Sequence, residues 1–92
     1  MSIRVEFFGI ARARAGVSSA ELPLIGNETT LVELLRLVGD ATPALGDNEL
    51  IVNGRLHASL TANLDGQRFV SDPATPIRDG QCLLILSADA GG

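Results

Sequence analysis

Ile3, Val5 and Phe7 interleave with Arg4, Glu6 and Phe8 at the start of the chain, a period of two that predicts a strand with one apolar and one mixed face. Phe8 is out of phase with the other apolar residues, which puts an aromatic ring on the mixed face. Gly9 closes this strand, and the small and charged run 11–16 reads as a loop. A second strand is expected over 20–25, where Pro23 requires an edge position or an irregular strand. The clearest element is a helix. Thr30 and Glu33 have capping-box spacing, and Leu31, Leu34, Leu35 and Val38 fall at i, i+3, i+4 and i+7. Gly39 is a candidate left-handed C-cap, and Pro43 stops the helix from continuing.

Leu50-Ile51-Val52 predicts a third strand that turns at Asn53-Gly54, a dipeptide that accepts positive φ at both positions. Leu56 starts the return. Between residues 58 and 72 the pattern weakens, although Asp65-Gly66 suggests a turn and Phe69-Val70 a short strand. Residues 73–76 read as irregular, Asp79-Gly80 as a tight turn, and 81–86 as an apolar last strand. The order is β-β-α-β-β-β, and a helix with one apolar stripe needs a sheet face to cover it. The expected class is α+β.

With 92 residues, 46% of them hydrophobic, the chain can build one core and no second one. Its net charge of −4 includes seven arginines and no lysine. With no basic run and few aromatic rings, nucleic acid is not an expected partner. The single Cys82 excludes an intrachain disulfide, and neither a membrane-length apolar run nor a signal-peptide layout is present. A cytoplasmic location is the expectation.

Catalytic parts are scarce. The chain has one His, one Cys, and no His or Cys pair at metal-ligand spacing. His57 is expected to face solvent beside the Asn53-Gly54 turn, and Cys82 to be an inert thiol in an apolar strand. The acidic residues of the turns do not form a pair for acid-base work. What stands out is the end, Ser87-Ala88-Asp89-Ala90-Gly91-Gly92. Two glycines without Cβ atoms can carry a carboxylate into a narrow active site on another protein. A carboxylate becomes an acyl donor once it attacks the α-phosphate of ATP, and a nucleophile then displaces AMP. A sulfur nucleophile gives a thiocarboxylate and an amine gives an isopeptide.

The chain resembles the MoaD/ThiS family of bacterial ubiquitin-like sulfur carriers over nearly its full length. Val5-Glu6-Phe7-Phe8-Gly9 is similar to the family's first strand, and residues 29–35 to its helix start. Val52-Asn53-Gly54 resembles the family's Val-Asn turn. Pro76-Ile77-Arg78-Asp79-Gly80, an apolar strand and Gly91-Gly92 form the most specific match. The resemblance implies a β-grasp (ubiquitin-like) fold, with a mixed sheet of about four to five strands on one main helix. Residues 1–86 would form a single domain and 87–92 a flexible tail. It further implies that an E1-like adenylyltransferase of the MoeB/ThiF type, using ATP, activates Gly92, and that sulfur transfer gives the thiocarboxylate. Asp89, Ala90 and Gly91 would thread the partner's active site. A synthase such as a molybdopterin synthase large subunit would accept the sulfur. On this reading the chain is a carrier with no bound cofactor and no catalytic residues of its own. An apolar patch on the exposed sheet face would dock the activating enzyme, with Phe8, Leu56 and Leu86 at the matching positions.

Asp89 is a departure from the apolar segment that often precedes the family's glycines. The residues leave molybdopterin, thiamine and cysteine routes open, although length favours the molybdopterin-like or cysteine-type branch. Two other readings stand beside the carrier: a modifier that forms isopeptides through Gly92, and an interaction subunit whose tail is incidental.

Overall fold

The structure is a computed structural model that describes residues 2–45 and 49–88. Its elements run β1 (Ser2–Phe7), α1 (Gly9–Ala15), β2 (Ser19–Pro23), β3 (Glu28–Thr30), α2 (Leu31–Ala41), β4 (Ile51–Val52), β5 (Arg55–Leu56), β6 (Leu60–Leu64), β7 (Arg68–Val70), β8 (Pro76–Arg78) and β9 (Cys82–Ser87). Five strands form the main sheet in the order β2-β1-β9-β6-β7. The central pair, β1 and β9, is parallel, and the other pairings are antiparallel. The ribbons β3-β8 and β4-β5 stand outside that sheet.

Alternation sorts the sheet residues between two faces. Ile3, Val5 and Phe7 of β1 are buried, as are Leu83 and Ile85 of β9 and Ala62 and Leu64 of β6. These form one core cluster with Leu31, Leu34, Leu35 and Val38, the apolar stripe of α2. Among the described residues, no helix like α2 lies against the opposite sheet face.

The N-cap of α2 is as the sequence predicts: Thr30 is extended (φ −108°, ψ 162°), and its hydroxyl accepts from the Glu33 N–H at 3.3 Å. The Leu31 and Val32 N–H groups, which a helix leaves without partners, donate to the Thr75 and Pro73 carbonyls at 2.9 and 3.1 Å. The predicted C-cap at Gly39 is corrected, because α2 continues to Ala41 and ends at Thr42 (φ −125°, ψ 83°). Thr42 precedes Pro43, and a residue before proline is driven out of the helical region.

Further differences have identifiable causes. The expected loop at 11–16 is largely the helix α1, which buries Ala11 and Ala15 four residues apart and closes at Gly16 (φ 76°). Its apolar stripe consists of methyl groups too small to show as a period. Gly9 therefore opens α1 as well as ending β1. Residues 76–78 form β8 against β3, with Pro76 opposite Thr30. Pro23 lies in β2 at the sheet edge, where a missing N–H costs no ladder bond. Both predicted turns exist: Asn53 and Gly54 (φ 54° and 75°) join β4 to β5, and Asp65 and Gly66 (φ 59° and 71°) begin the turn from β6 to β7. Only the second hairpin belongs to the main sheet.

Candidate functional site

The face of the sheet turned away from α2 is built from the residues between the buried ones. Phe8 follows Phe7, which is level with Ile85, and its N–H donates to the Ile85 carbonyl at 2.9 Å. This register sets Phe8 beside Leu86 in the next strand. Leu84 is level with Glu6 on one side and Asn63 on the other, and Asn63 is in turn level with Phe69. Phe8 and Phe69 are 42% and 57% exposed, and Leu84 and Leu86 are half-buried. Phe8 at the end of β1 and Leu84 and Leu86 of β9 make the apolar part of this face, and Phe69 of β7 lies beyond Asn63 of β6.

Leu56 does not belong to this face, which corrects its expected position. It lies in β5, which pairs only with β4, and its half-buried side chain packs against the core cluster while β5 contacts α2. Two turns of nearly equivalent chemistry, Asn53-Gly54 and Asp65-Gly66, carry the reason. Both turns are legible in the sequence, but only the second joins two strands of the main sheet and brings Phe69 to the face. Its strand-period signal is Phe69 standing out of phase with buried Val70.

One end of this face is polar. Arg4 bonds Glu6 at 2.8 Å and Glu21 at 3.4 Å across the exposed surface. Cys82, on the same face of β9 as Leu84 and Leu86, is half-buried, and its N–H donates to Asp65 Oδ1 at 2.8 Å. Burial pushes the Cys82 thiol pKa above its ordinary value, and the nearby Glu6 carboxylate adds to the rise.

At the other end, β9 is tied down just before the tail. Ser87 Oγ accepts from the Ile10 N–H at 2.7 Å, and the Ala88 N–H donates to the Ser59 carbonyl at 2.9 Å. Ser59 is held in turn: Arg14 donates to its hydroxyl at 2.9 Å, and the hydroxyl and N–H lie 2.8 and 3.0 Å from His57 Nδ1. Since the Ser59 N–H donates to Nδ1, that nitrogen acts as the acceptor. His57 is therefore half-buried in a hydrogen-bond network, not solvent-facing beside its turn as the sequence suggested. Neither Ser59 nor Arg14 carried a sequence signal, because their roles depend on the parallel β1-β9 pairing that brings α1 to the end of β9.

The tail residues Asp89, Ala90, Gly91 and Gly92 lie outside the described residues. Among the described residues, no group of three or more His, Cys, Asp or Glu could hold a metal ion. No helix among them is long and apolar enough to cross a membrane.

Among solved structures, SAMP1 from Haloferax volcanii matches with a TM-score of 0.79 and 20% identity over 100% of both chains. A chain of the Amycolatopsis orientalis BexX/CysO complex matches with a TM-score of 0.69 and 22% identity, covering 98% of this chain and 99% of that one. A candidate molybdopterin converting factor subunit 1 from Pyrococcus furiosus gives 0.71 and 19% over 95% and 97%. The chain has a ubiquitin-like β-grasp fold. No family model and no curated protein matches the sequence. Beside the five-stranded mixed sheet and the main helix α2, the described residues form α1 and the β3-β8 and β4-β5 ribbons.

Proposed function

We propose that this β-grasp chain is a sulfur carrier, the protein substrate of an E1-like adenylyltransferase, and that Gly92 is its acyl site. The observation that carries the reading is the arrangement at the end of β9. Ser87 and Ala88 are fixed by the Ile10 N–H and the Ser59 carbonyl, so the described chain ends at an anchored point beside an exposed apolar face. In the proposed reaction the Gly92 carboxylate attacks the α-phosphate of ATP, forming the acyl adenylate and releasing pyrophosphate. A sulfide sulfur then attacks the Gly92 carbonyl carbon and AMP leaves, which produces the thiocarboxylate. The chain contributes no catalytic group to either step. Phe8, Leu84, Leu86 and Phe69 would position it on the enzyme, while Asp89, Ala90 and Gly91 span the distance to the reacting centre. A synthase of the molybdopterin type would then consume the sulfur, and the likeness to the Pyrococcus furiosus protein supports that branch.

The likeness to SAMP1, whose name denotes a small archaeal modifier protein, supports a second reading in which an amine takes the acyl group and an isopeptide results. Incubating the chain with the activating enzyme of its own host and ATP tests the shared first step. Pyrophosphate release that depends on Gly92 is expected. Its absence with an active enzyme refutes both readings and leaves an interaction subunit.

A further inference from the structure

The strand β2 leaves one edge of the main sheet open. The Phe7 N–H donates to the Ser18 carbonyl at 2.9 Å, so in the antiparallel register of β1 and β2 the pairs Val5-Ala20 and Ile3-Leu22 are also the hydrogen-bonded ones. The N–H groups of Ser19 and Glu21 and the carbonyls of Ser19, Glu21 and Pro23 therefore point outward, and no backbone group of the described residues bonds them. An apolar groove continues from this edge. Its lining includes Pro23, Leu24 and Ile25 at the end of β2, Leu37 of α2, and the carboxylates Glu28 and Glu33. Ile25 is fully exposed and Leu37 is 39% exposed. Among the described residues, no basic side chain lines the groove. Glu28 meets Arg78 at 3.5 Å and Glu33 meets Arg36 at 3.1 Å, each through Oε1. At the edge itself a single cation, Arg4, is shared by Glu6 and Glu21, which leaves one carboxylate in excess.

We propose that this edge and groove bind an extended segment of another protein, which adds a strand to β2 and alternates basic with apolar residues. The residue placed opposite Glu21 lies on the same face as Glu21, where a basic side chain meets the excess carboxylate. Its two neighbours turn to the other face, that of buried Leu22 and α2. Apolar side chains there enter the groove. Backbone bonds to the edge give affinity, and the alternation gives specificity. A second copy of this chain fits poorly. Two β2 strands paired about a two-fold at Glu21 would set the two carboxylates against each other and Ser19 against Pro23, which has no N–H to donate. The groove also lies away from the tail: Pro23 is level with Ser2 at the start of β1, whereas Ile85, near the end of β9, is level with Phe7 at the other end. The inference therefore does not rest on the carrier reading.

The probe is a capped hexapeptide of alternating valine and arginine, titrated into the isotope-labelled full chain and followed by NMR. The Ser19 and Glu21 amides and the Ile25 and Leu37 methyl groups should shift together, and hydrogen exchange at the two amides should slow. Leu37→Glu, at an exposed position, should keep the wild-type spectrum elsewhere and weaken binding about tenfold. A peptide of the same composition with its arginines in one block should also bind about tenfold more weakly. Equal binding of the two peptides shows charge attraction alone and overturns the inference. No shifts, or shifts confined to Phe8, Leu84 and Leu86, overturn it as well. Self-association of the chain that L37E abolishes overturns it in favour of a second copy. Gly92-dependent pyrophosphate release should be the same in L37E as in wild type. Its absence in both refutes the carrier reading and leaves the peptide result standing.

Discussion

Replacing Gly9 by alanine strikes the point where α1, β1 and the end of β9 meet. Gly9 has φ +55°, and a Cβ built there collides with Ser87 Oγ. That hydroxyl accepts from the Ile10 N–H at 2.7 Å, so it cannot turn away without giving up its bond. A non-glycine residue held in the left-handed region costs about 1–2 kcal/mol, and the lost hydrogen bond about 1 kcal/mol. The expected total is about 2–3 kcal/mol, which lowers Tm by about 10–20 °C for a domain of this size. Circular dichroism melts of Gly9→Ala, Ser87→Ala and the double variant form the assay. In the Ser87→Ala background the collision is gone, so adding Gly9→Ala should cost only the backbone part, with a coupling of about 1 kcal/mol between the sites. A Tm within about 2 °C of wild type for Gly9→Ala refutes the reasoning, as does an equal cost in both backgrounds.

Phe69→Ala should change stability by less than about 1 kcal/mol, because the ring is 57% exposed, while weakening adenylyltransferase binding about tenfold. Leu56→Ala should do the reverse, costing about 1–2 kcal/mol of stability through lost core contact and leaving binding unchanged; calorimetry and melts that show the opposite pattern would move the docking face to the β4-β5 ribbon. The Cys82 thiol pKa is raised on folding, chiefly by burial, so its contribution to stability is fully present below the unfolded thiol pKa and is lost as pH rises through the folded one. Stability of wild type relative to Cys82→Ala should therefore fall on the alkaline side, and iodoacetamide should modify Cys82 more slowly than an exposed thiol at the same pH; a flat difference and an ordinary rate contradict this.

The elements legible in the sequence were those whose signal is local and made of large side chains. Thr30, Glu33 and the leucines of α2 announce the helix, its start and its buried side within a few residues of one another. The strands β1 and β9 are equally plain, β1 through alternation and β9 through a short continuous apolar run bounded by a turn. The helix α1 is hidden for the opposite reason: its inward residues Ala11 and Ala15 bury little area, and its arginines mimic a loop. The face was half legible. Phe8 follows from phase within its own strand and Leu86 from the family resemblance, but placing Phe69 requires knowing which hairpin joins the sheet. Asn53-Gly54 and Asp65-Gly66 satisfy the same turn chemistry, and only long-range pairing of β6 with β9 separates them. The network of Arg14, Ser59 and His57 at the end of β9 has no local signature at all.

The central claim is that the chain carries sulfur on Gly92, held beyond the fixed end of β9. Intact mass spectrometry of the full chain, after incubation with ATP, a sulfide source and the adenylyltransferase of its own host, tests it most directly. The account predicts a mass gain equal to the exchange of one oxygen for one sulfur, mapped by fragmentation to Gly92 and abolished when Gly92 is removed. An unchanged mass in the presence of an active enzyme, or a gain that persists without Gly92, would contradict it.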